Sequence, residues 1–217
     1  ICRCTGYKSI ERAAKHITGS LTGKDQNETI QWLVKQAFIP SYFNKIPTML
    51  KELSPIKDPH QNGTLVGGGT DLYVQKYDQL IDQDVNLIVN SSELRFTEVQ
   101  NGVCSLGAGN SATDMLESDD LQAMFPQLAE HIKLVASSPI RNIATLGGNF
   151  ANASPIGDFT VFFLALNSKL KLTENNQNRT ILLKDFYKGY KDLDKSAGEI
   201  ISAITFDIPD RNSQFNF

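Results

Sequence analysis

Apolar residues recur at helical spacing near the start of the chain, at Ile10, Ala13, Ala14 and Ile17, and again at Ile30, Leu33, Val34 and Ala37. That period predicts two short helices within residues 1–38. Gly19 offers the first a stop, and residues 18–28, rich in Gly, Ser, Thr, Asp and Asn, have loop composition. Pro40, Pro47, Pro55 and Pro59 follow. Proline lacks an N–H and fixes φ, so residues 39–59 read as a connector, with one short helix at 49–53. The character then turns to short β-rich runs, Thr64-Leu65-Val66, Asn86-Leu87-Ile88-Val89 and Val103-Cys104-Ser105-Leu106. Helices are expected over 111–117 and 121–135, then a loop over 136–158. The apolar run 159–166 is expected to form a buried helix capped by Asp158 or Ser154. Residues 169–172, 179–182 and 200–208 look like a small antiparallel set, so the fold class is α+β, without internal repeats.

The chain has 217 residues, 41% hydrophobic and 21% charged, enough to bury a core. No apolar run approaches the ~20 residues that cross a bilayer, so no membrane span is expected. Net charge is −3, and the 21 Lys and Arg are spread along the chain, which argues against nucleic-acid binding. The chain begins with Ile1 and closes on Ser213-Gln214-Phe215-Asn216-Phe217, an alternating stretch that reads as an unfinished strand, so both ends are expected to be cut. Three cysteines do not make the stapled framework of a small secreted protein, and a reducing, cytoplasmic setting is expected.

Three stretches carry candidate chemistry. In Leu65-Val66-Gly67-Gly68-Gly69-Thr70-Asp71-Leu72 a strand runs into three glycines. Without side chains in the way, several main-chain N–H groups can converge on one anion; the alternative is a glycine-rich turn. The loop has neither the Gly-Lys-Ser/Thr of a Walker site nor Rossmann spacing. In Ala144-Thr145-Leu146-Gly147-Gly148-Asn149 and the following Ala153-Ser154-Pro155-Ile156-Gly157-Asp158, Thr145, Asn149 and Asp158 offer groups suited to a polyol or phosphate; the alternative is a loop in which Asp158 only caps a helix. Cys2-Arg3-Cys4 is a C-x-C pair able to supply two thiolates to an iron–sulfur cluster, or simply two inert thiols, and Cys104 reads as a small buried hydrophobe.

Taken in order, these stretches resemble the molybdenum hydroxylase (xanthine dehydrogenase) family, in its small subunit or FAD-binding portion. CRCTGY at residues 2–7 is similar to the second cysteine pair of that family's helical two-iron two-sulfur domain. Residues 67–72 resemble its flavin diphosphate loop, and PIRNIATLGGNFANASPIGD at 139–158 is similar to its second flavin segment. Gly198-Glu199-Ile200-Ile201-Ser202 resembles the strand that passes the isoalloxazine ring. The resemblance implies a two-subdomain FAD-binding fold of the vanillyl-alcohol-oxidase/PCMH type, preceded by the end of an all-α iron–sulfur domain. Residues 1–38 would be the end of that domain with a linker helix, 39–59 the connector and 60–217 the FAD-binding domain.

By the same resemblance, main-chain N–H groups from Leu65, Val66, Gly67, Gly68, Gly69, Thr70, Asp71 and Leu72 would wrap the FAD diphosphate. Ala144, Thr145, Gly148, Asn149, Asn152 and Asp158 would hold the ribityl and phosphate portions, Val135 and Ile201 would lie near the flavin, and Cys2 and Cys4 would ligate the cluster. The implied function is electron transfer from iron–sulfur clusters to FAD and on to NAD or oxygen. A molybdenum cofactor would sit on a partner chain or segment, the whole being a hetero-oligomer or dimer. The protein's share is to position and tune the flavin, and no residue reads as nucleophile or general base. The first cysteine pair and the family's basic flavin-site residue are absent from the sequence. Two other readings stay open: a stand-alone flavin oxidoreductase of the same fold superfamily, and a non-catalytic nucleotide-binding scaffold.

Overall fold

The computed structural model describes residues 7–25, 27–53, 63–89, 91–210 and 213. Cys2, Cys4 and the closing Gln214-Phe215-Asn216-Phe217 stretch lie outside the described residues. The chain forms two compact units, residues 1–57 and 58–217. Among the described residues no helix is long and apolar enough to cross a membrane.

The first unit is helical. Helix α1 (Tyr7–Ser20) continues through Gly19 rather than stopping there, and carries Glu11 between Lys8 and Lys15 at 3.1 and 2.9 Å. Helix α2 (Thr29–Lys35) ends before Ala37, which the spacing had counted as helical. Ala37 instead adopts a left-handed φ of 57°. Its N–H donates to the Val34 carbonyl at 3.0 Å, and the Phe38 N–H donates to Leu33 at 2.9 Å, the paired bonds of a Schellman end. A 3₁₀ turn (Ser41–Lys45) leads into α3 (Ile46–Glu52), three residues earlier than expected. Pro47 falls in its first turn, where no N–H is needed.

The second unit opens with a small parallel pair, β1 (Thr64–Val66) and β2 (Val85–Leu87), joined through the glycine loop and two single-turn helices, α4 (Leu72–Gln75) and α5 (Tyr77–Leu80). The larger sheet begins with β3 (Thr97–Gln100) and β4 (Val103–Gly107). The apolar pattern did not predict β3, because it is a mostly exposed edge strand. Its hairpin turn is Asn101-Gly102, both residues at positive φ, a turn whose chemistry was legible.

Six helices follow. The first, α6 (Ala112–Glu117), has a complete capping box between Ser111 and Asp114. The long helix expected over 121–135 is two, α7 (Asp119–Met124) and α8 (Leu128–Leu134). Phe125 leaves the helical region, with φ −131° and ψ 83°, as the residue before Pro126 tends to do. The segment read as a loop holds α9 (Ser138–Arg141) and α10 (Leu146–Asn152). Helix α11 (Asp158–Ala165) starts from Gly157 with no side-chain cap, so neither Asp158 nor Ser154 plays that part. Nor is α11 buried all round: Phe159, Thr160 and Phe163 face inward, whereas Val161 is 58% exposed.

The chain then adds β5 (Lys169–Glu174), β6 (Gln177–Leu182), α12 (Leu183–Phe186), a short hairpin of β7 (Tyr187–Gly189) and β8 (Asp192–Leu193), and β9 (Ile200–Asp207). The antiparallel order is β3-β4-β9-β5-β6, with β9 central, and its alternating burial turns one face to the helices. Cys104 is fully buried in β4, and burial pushes its thiol up to about 11, as befits a small apolar filler.

Phe163 sits at the centre of this core. It is fully buried, with ring centroids 5.7 Å from Phe150 and 5.9 Å from Phe206. It thereby joins α11 to α10 and β9. Phe163→Ala should cost ~3–5 kcal/mol through lost transfer energy and the cavity left behind, read from urea unfolding. A loss under about 1 kcal/mol would mean that this ring does not couple the helices to the sheet.

Candidate functional site

Strand β1 delivers the chain into Gly67-Gly68-Gly69 directly against the segment that leads into α10. A Cβ built on Gly68 would fall on the Ile143 carbonyl oxygen, and one on Gly67 would lie 2.6 Å from Thr145 Oγ1. Gly69 has a φ of +69°, and its Cβ would meet the Tyr73 ring. Each glycine is therefore required by space or conformation. Among the described residues, no acceptor takes the N–H groups of Gly67, Gly68, Gly69 or Thr70.

The opposite wall differs. Thr145 is buried and caps α10, its Oγ1 accepting the Gly148 N–H at 3.1 Å. Leu146 and Gly147 donate their N–H groups to Asn110 and Ala108 at 3.0 and 2.8 Å, and Ala144 donates to Ile140 at 2.8 Å. The two glycine stretches meet, but the amides of Leu146, Gly147, Gly148 and Asn149 are all accepted, whereas among the described residues those of Gly67, Gly68, Gly69 and Thr70 are not. The second supplies shape and side chains.

Between them lies an open cleft of about 300 Å³. Leu65, Gly67, Gly68, Gly69, Thr70, Asp71 and Leu72 form one side. Ala144, Thr145, Gly148, Asn149 and Asn152 form the other. Thr160 donates to Asn149 Oδ1 at 3.1 Å and lies 3.4 Å from the Tyr187 hydroxyl, which donates to the Phe150 carbonyl at 3.3 Å. Burial raises the Tyr187 phenol, opposed by its bond to Thr160, and keeps it a donor. Asn149 is thus fixed through its oxygen.

Gln75, Lys76, Ala151 and Lys191 also line the cleft and were not anticipated. Gln75 and Lys76 follow the glycine loop closely enough to have been read from it. Lys191 arrives from the β7–β8 turn, which nothing in the local sequence places here. Gln75 Nε2 and Lys191 Nζ both donate to Asn152 Oδ1 at 3.2 Å.

Four residues named from the sequence fall outside this lining. Val66 is 1% exposed, its side chain turned into the interior beneath the loop. Ile201 is 6% exposed in the core, with Val135 packed against the same cluster. Asp158 is exposed at the first turn of α11. Arg141, in the same stretch, donates to the Val135 and Ala136 carbonyls at 3.0 and 2.6 Å and shapes the 135–138 bend. Among the described residues no group of three or more His, Cys, Asp or Glu is placed to hold a metal.

At the start of β9, Glu199 is held by Arg179 of β6 at 2.5 and 2.8 Å and by the Ser196 N–H at 2.8 Å. The guanidinium, then the amide, bring its carboxyl down to about 2 against the effect of burial.

The free amides, the missing Cβ atoms and the lysines suit a diphosphate-containing ligand, and comparison with known proteins agrees. Residues 41–209 match the FAD binding domain in molybdopterin dehydrogenase, and the chain belongs to that family. It is 26% identical over 162 residues to the glyceraldehyde dehydrogenase medium chain of Sulfolobus acidocaldarius, covering 74% of this chain and 58% of that one. It is 29% identical over 169 residues to the xanthine dehydrogenase of Emericella nidulans, covering 73% of this chain and 12% of that one. Reconstituted CO dehydrogenase from Oligotropha carboxidovorans superposes with a TM-score of 0.62 at 25% identity, covering 68% of this chain and 53% of that one. The chain thus spans little more than half of the medium chain it matches. The mixed helix and sheet architecture is the one expected for this family.

Because the Glu199 carboxyl is depressed in the fold, its stabilisation is complete above the unfolded value of ~4.3 and is lost as pH falls through about 2. Glu199→Gln should lower the melting temperature at pH 7, and the gap to the native protein should close between about pH 4.5 and 2. A gap that does not change with pH would show that the charge of Glu199 contributes nothing.

Proposed function

We propose that this chain is the FAD-holding electron-transfer module of a xanthine dehydrogenase-like molybdenum hydroxylase. The observation that carries the reading is the row of four main-chain N–H groups at Gly67, Gly68, Gly69 and Thr70, without an acceptor among the described residues and held open against the 143–145 segment. Such a concave set of amides is suited to a diphosphate. The cleft's volume suits the middle of a dinucleotide rather than the whole molecule. When bound, FAD supplies the redox chemistry, taking electrons from iron–sulfur clusters and yielding them to NAD or oxygen.

The residues here bind and orient. Leu65 and Leu72 flank the amide row, Thr70 and Asp71 add a hydroxyl and a carboxylate, and Asn149, fixed by Thr160, keeps its amide nitrogen free of partners among the described residues. Asn152 and Thr145 complete the opposite wall. Asp158, Val135 and Ile201 would serve the more distant parts of the dinucleotide. Nothing in the cleft is arranged as a nucleophile with its base, in keeping with a positioning role.

In this reading the domain layout is residues 1–38 as the end of a helical two-iron two-sulfur domain, 39–59 as connector and 60–217 as the FAD-binding domain of PCMH type. Cys2 and Cys4 would be cluster ligands. A molybdenum cofactor on a partner chain or segment would deliver the electrons, within a cytoplasmic hetero-oligomer. The similarity to xanthine dehydrogenase supports purine-type chemistry at that remote centre, and the C-x-C pair favours this over a flavin oxidoreductase that needs no iron.

The test is a Gly68→Val variant of the intact protein. Its side chain has no room beside the Ile143 carbonyl, so the loop must leave the 143–145 wall. FAD affinity is expected to fall at least about tenfold, roughly 1.4 kcal/mol, while circular dichroism stays native. Full FAD occupancy in a folded Gly68→Val protein would overturn the reading. The native protein's absorption spectrum should show flavin and iron–sulfur bands together.

A further inference from the structure

The amide row is neutral, and a diphosphate is a double anion at neutral pH, so the cleft calls for fixed positive charge. Two lysines reach it from different elements: Lys76, just past α4, and Lys191, at the tip of the β7–β8 hairpin. Among the described residues the one carboxylate lining the same space is Asp71. Lys191 is the more informative of the two. Gly189 pairs with Asp192, so Tyr190 and Lys191 alone make the turn. Lys191 adopts φ 56°, a left-handed conformation that ordinarily favours glycine or asparagine.

A strained lysine stands where a turn would otherwise carry glycine, and its exposed side chain reaches the rim of the cleft. Its ammonium donates to Asn152 Oδ1 at 3.2 Å, while the same oxygen accepts from Gln75 of the opposite wall. Asn152 is neutral, and no carboxylate lies within ion-pair distance of Lys191 among the described residues. At the other end of the hairpin, the Tyr187 hydroxyl donates to the Phe150 carbonyl on α10. The hairpin is therefore pinned to α10 at its base while its tip cation rests on a neutral catch.

We propose that Lys191 is a phosphate-binding residue of the cleft, held on Asn152 when no anion is present and pairing with the ligand's diphosphate when one binds. This rests on the FAD reading above and extends it to a residue 121 positions beyond Thr70 (191 − 70). The strained backbone places the ammonium; the amide row alone would hold the diphosphate without neutralising it.

The experiment compares native, Lys191→Met, Lys191→Arg, Lys191→Gly and Gly68→Val forms of the intact protein, stripped of flavin, in FAD titrations at low and high salt. Lys191→Met should weaken FAD binding about tenfold at low salt and flatten its salt dependence, since one charge-assisted contact is lost. Lys191→Arg should restore both affinity and salt dependence. Lys191→Gly should bind as poorly as Lys191→Met yet melt no lower than native, because glycine relieves the left-handed turn. If Lys191→Met keeps native affinity, or loses it without change in salt dependence and without rescue by arginine, Lys191 is not a phosphate ligand. In that case Gly68→Val still losing FAD leaves the site assignment standing, whereas retention by Gly68→Val as well removes the FAD reading itself.

Discussion

At Gly68 there is no space for a single methyl group, because the carbonyl of Ile143 already occupies it. That contact between two main chains is what the site depends on. It brings the turn after β1 onto the entry of α10, and each neighbouring feature serves to keep it. Thr145 caps the helix and touches Gly67; Leu146 and Gly147 are tied by their amides to Asn110 and Ala108 at the end of β4; Ser111 bridges to Thr145. The wall is consequently an extension of the five-stranded sheet, and the loop is free to leave its own amides unused.

This division gives the two glycine stretches unequal roles. The one at 67–69 needs glycine so that backbone can meet backbone and still face outward. In the one at 146–149, amides are spent inside the helix and on the residues after β4, and a Cβ added at Gly147 would lie 3.0 Å from the Ala108 Cβ. A similar separation runs through the rest of the unit. Phe163, Phe150 and Phe206 supply the apolar anchor, the Arg179–Glu199 pair fixes the start of the central strand, and the β7–β8 hairpin clasps α10 from the side.

Much of this was legible from sequence. Strands β1, β2 and β4 show as β-rich runs between turn residues and β5, β6 and β9 as a small antiparallel set, and the two glycine stretches, expected to grip one ligand, line one cleft with Thr145 and Asn149. The misses have physical causes. Edge strand β3 carries almost no buried residue, so its pattern was silent even though Asn101-Gly102 marked its turn. Pro126 broke a helix whose apolar period ran on across it. The α10 stretch has loop composition because glycine and asparagine carry poor helix propensity, which the Thr145 cap and the sheet contacts override. Lys191 was invisible because only tertiary contact brings it within 3.2 Å of Asn152, 39 residues away.

The central claim is that the amides of Gly67, Gly68, Gly69 and Thr70 are free in the protein and taken up by a diphosphate. Residue-resolved amide hydrogen exchange, on flavin-stripped protein with and without added FAD, tests it most directly. The account predicts rapid exchange at all four positions without FAD and marked slowing with it, while Gly147 and Gly148 stay protected throughout. Protection of the four amides before FAD is added, or exchange that FAD leaves unchanged, would contradict it.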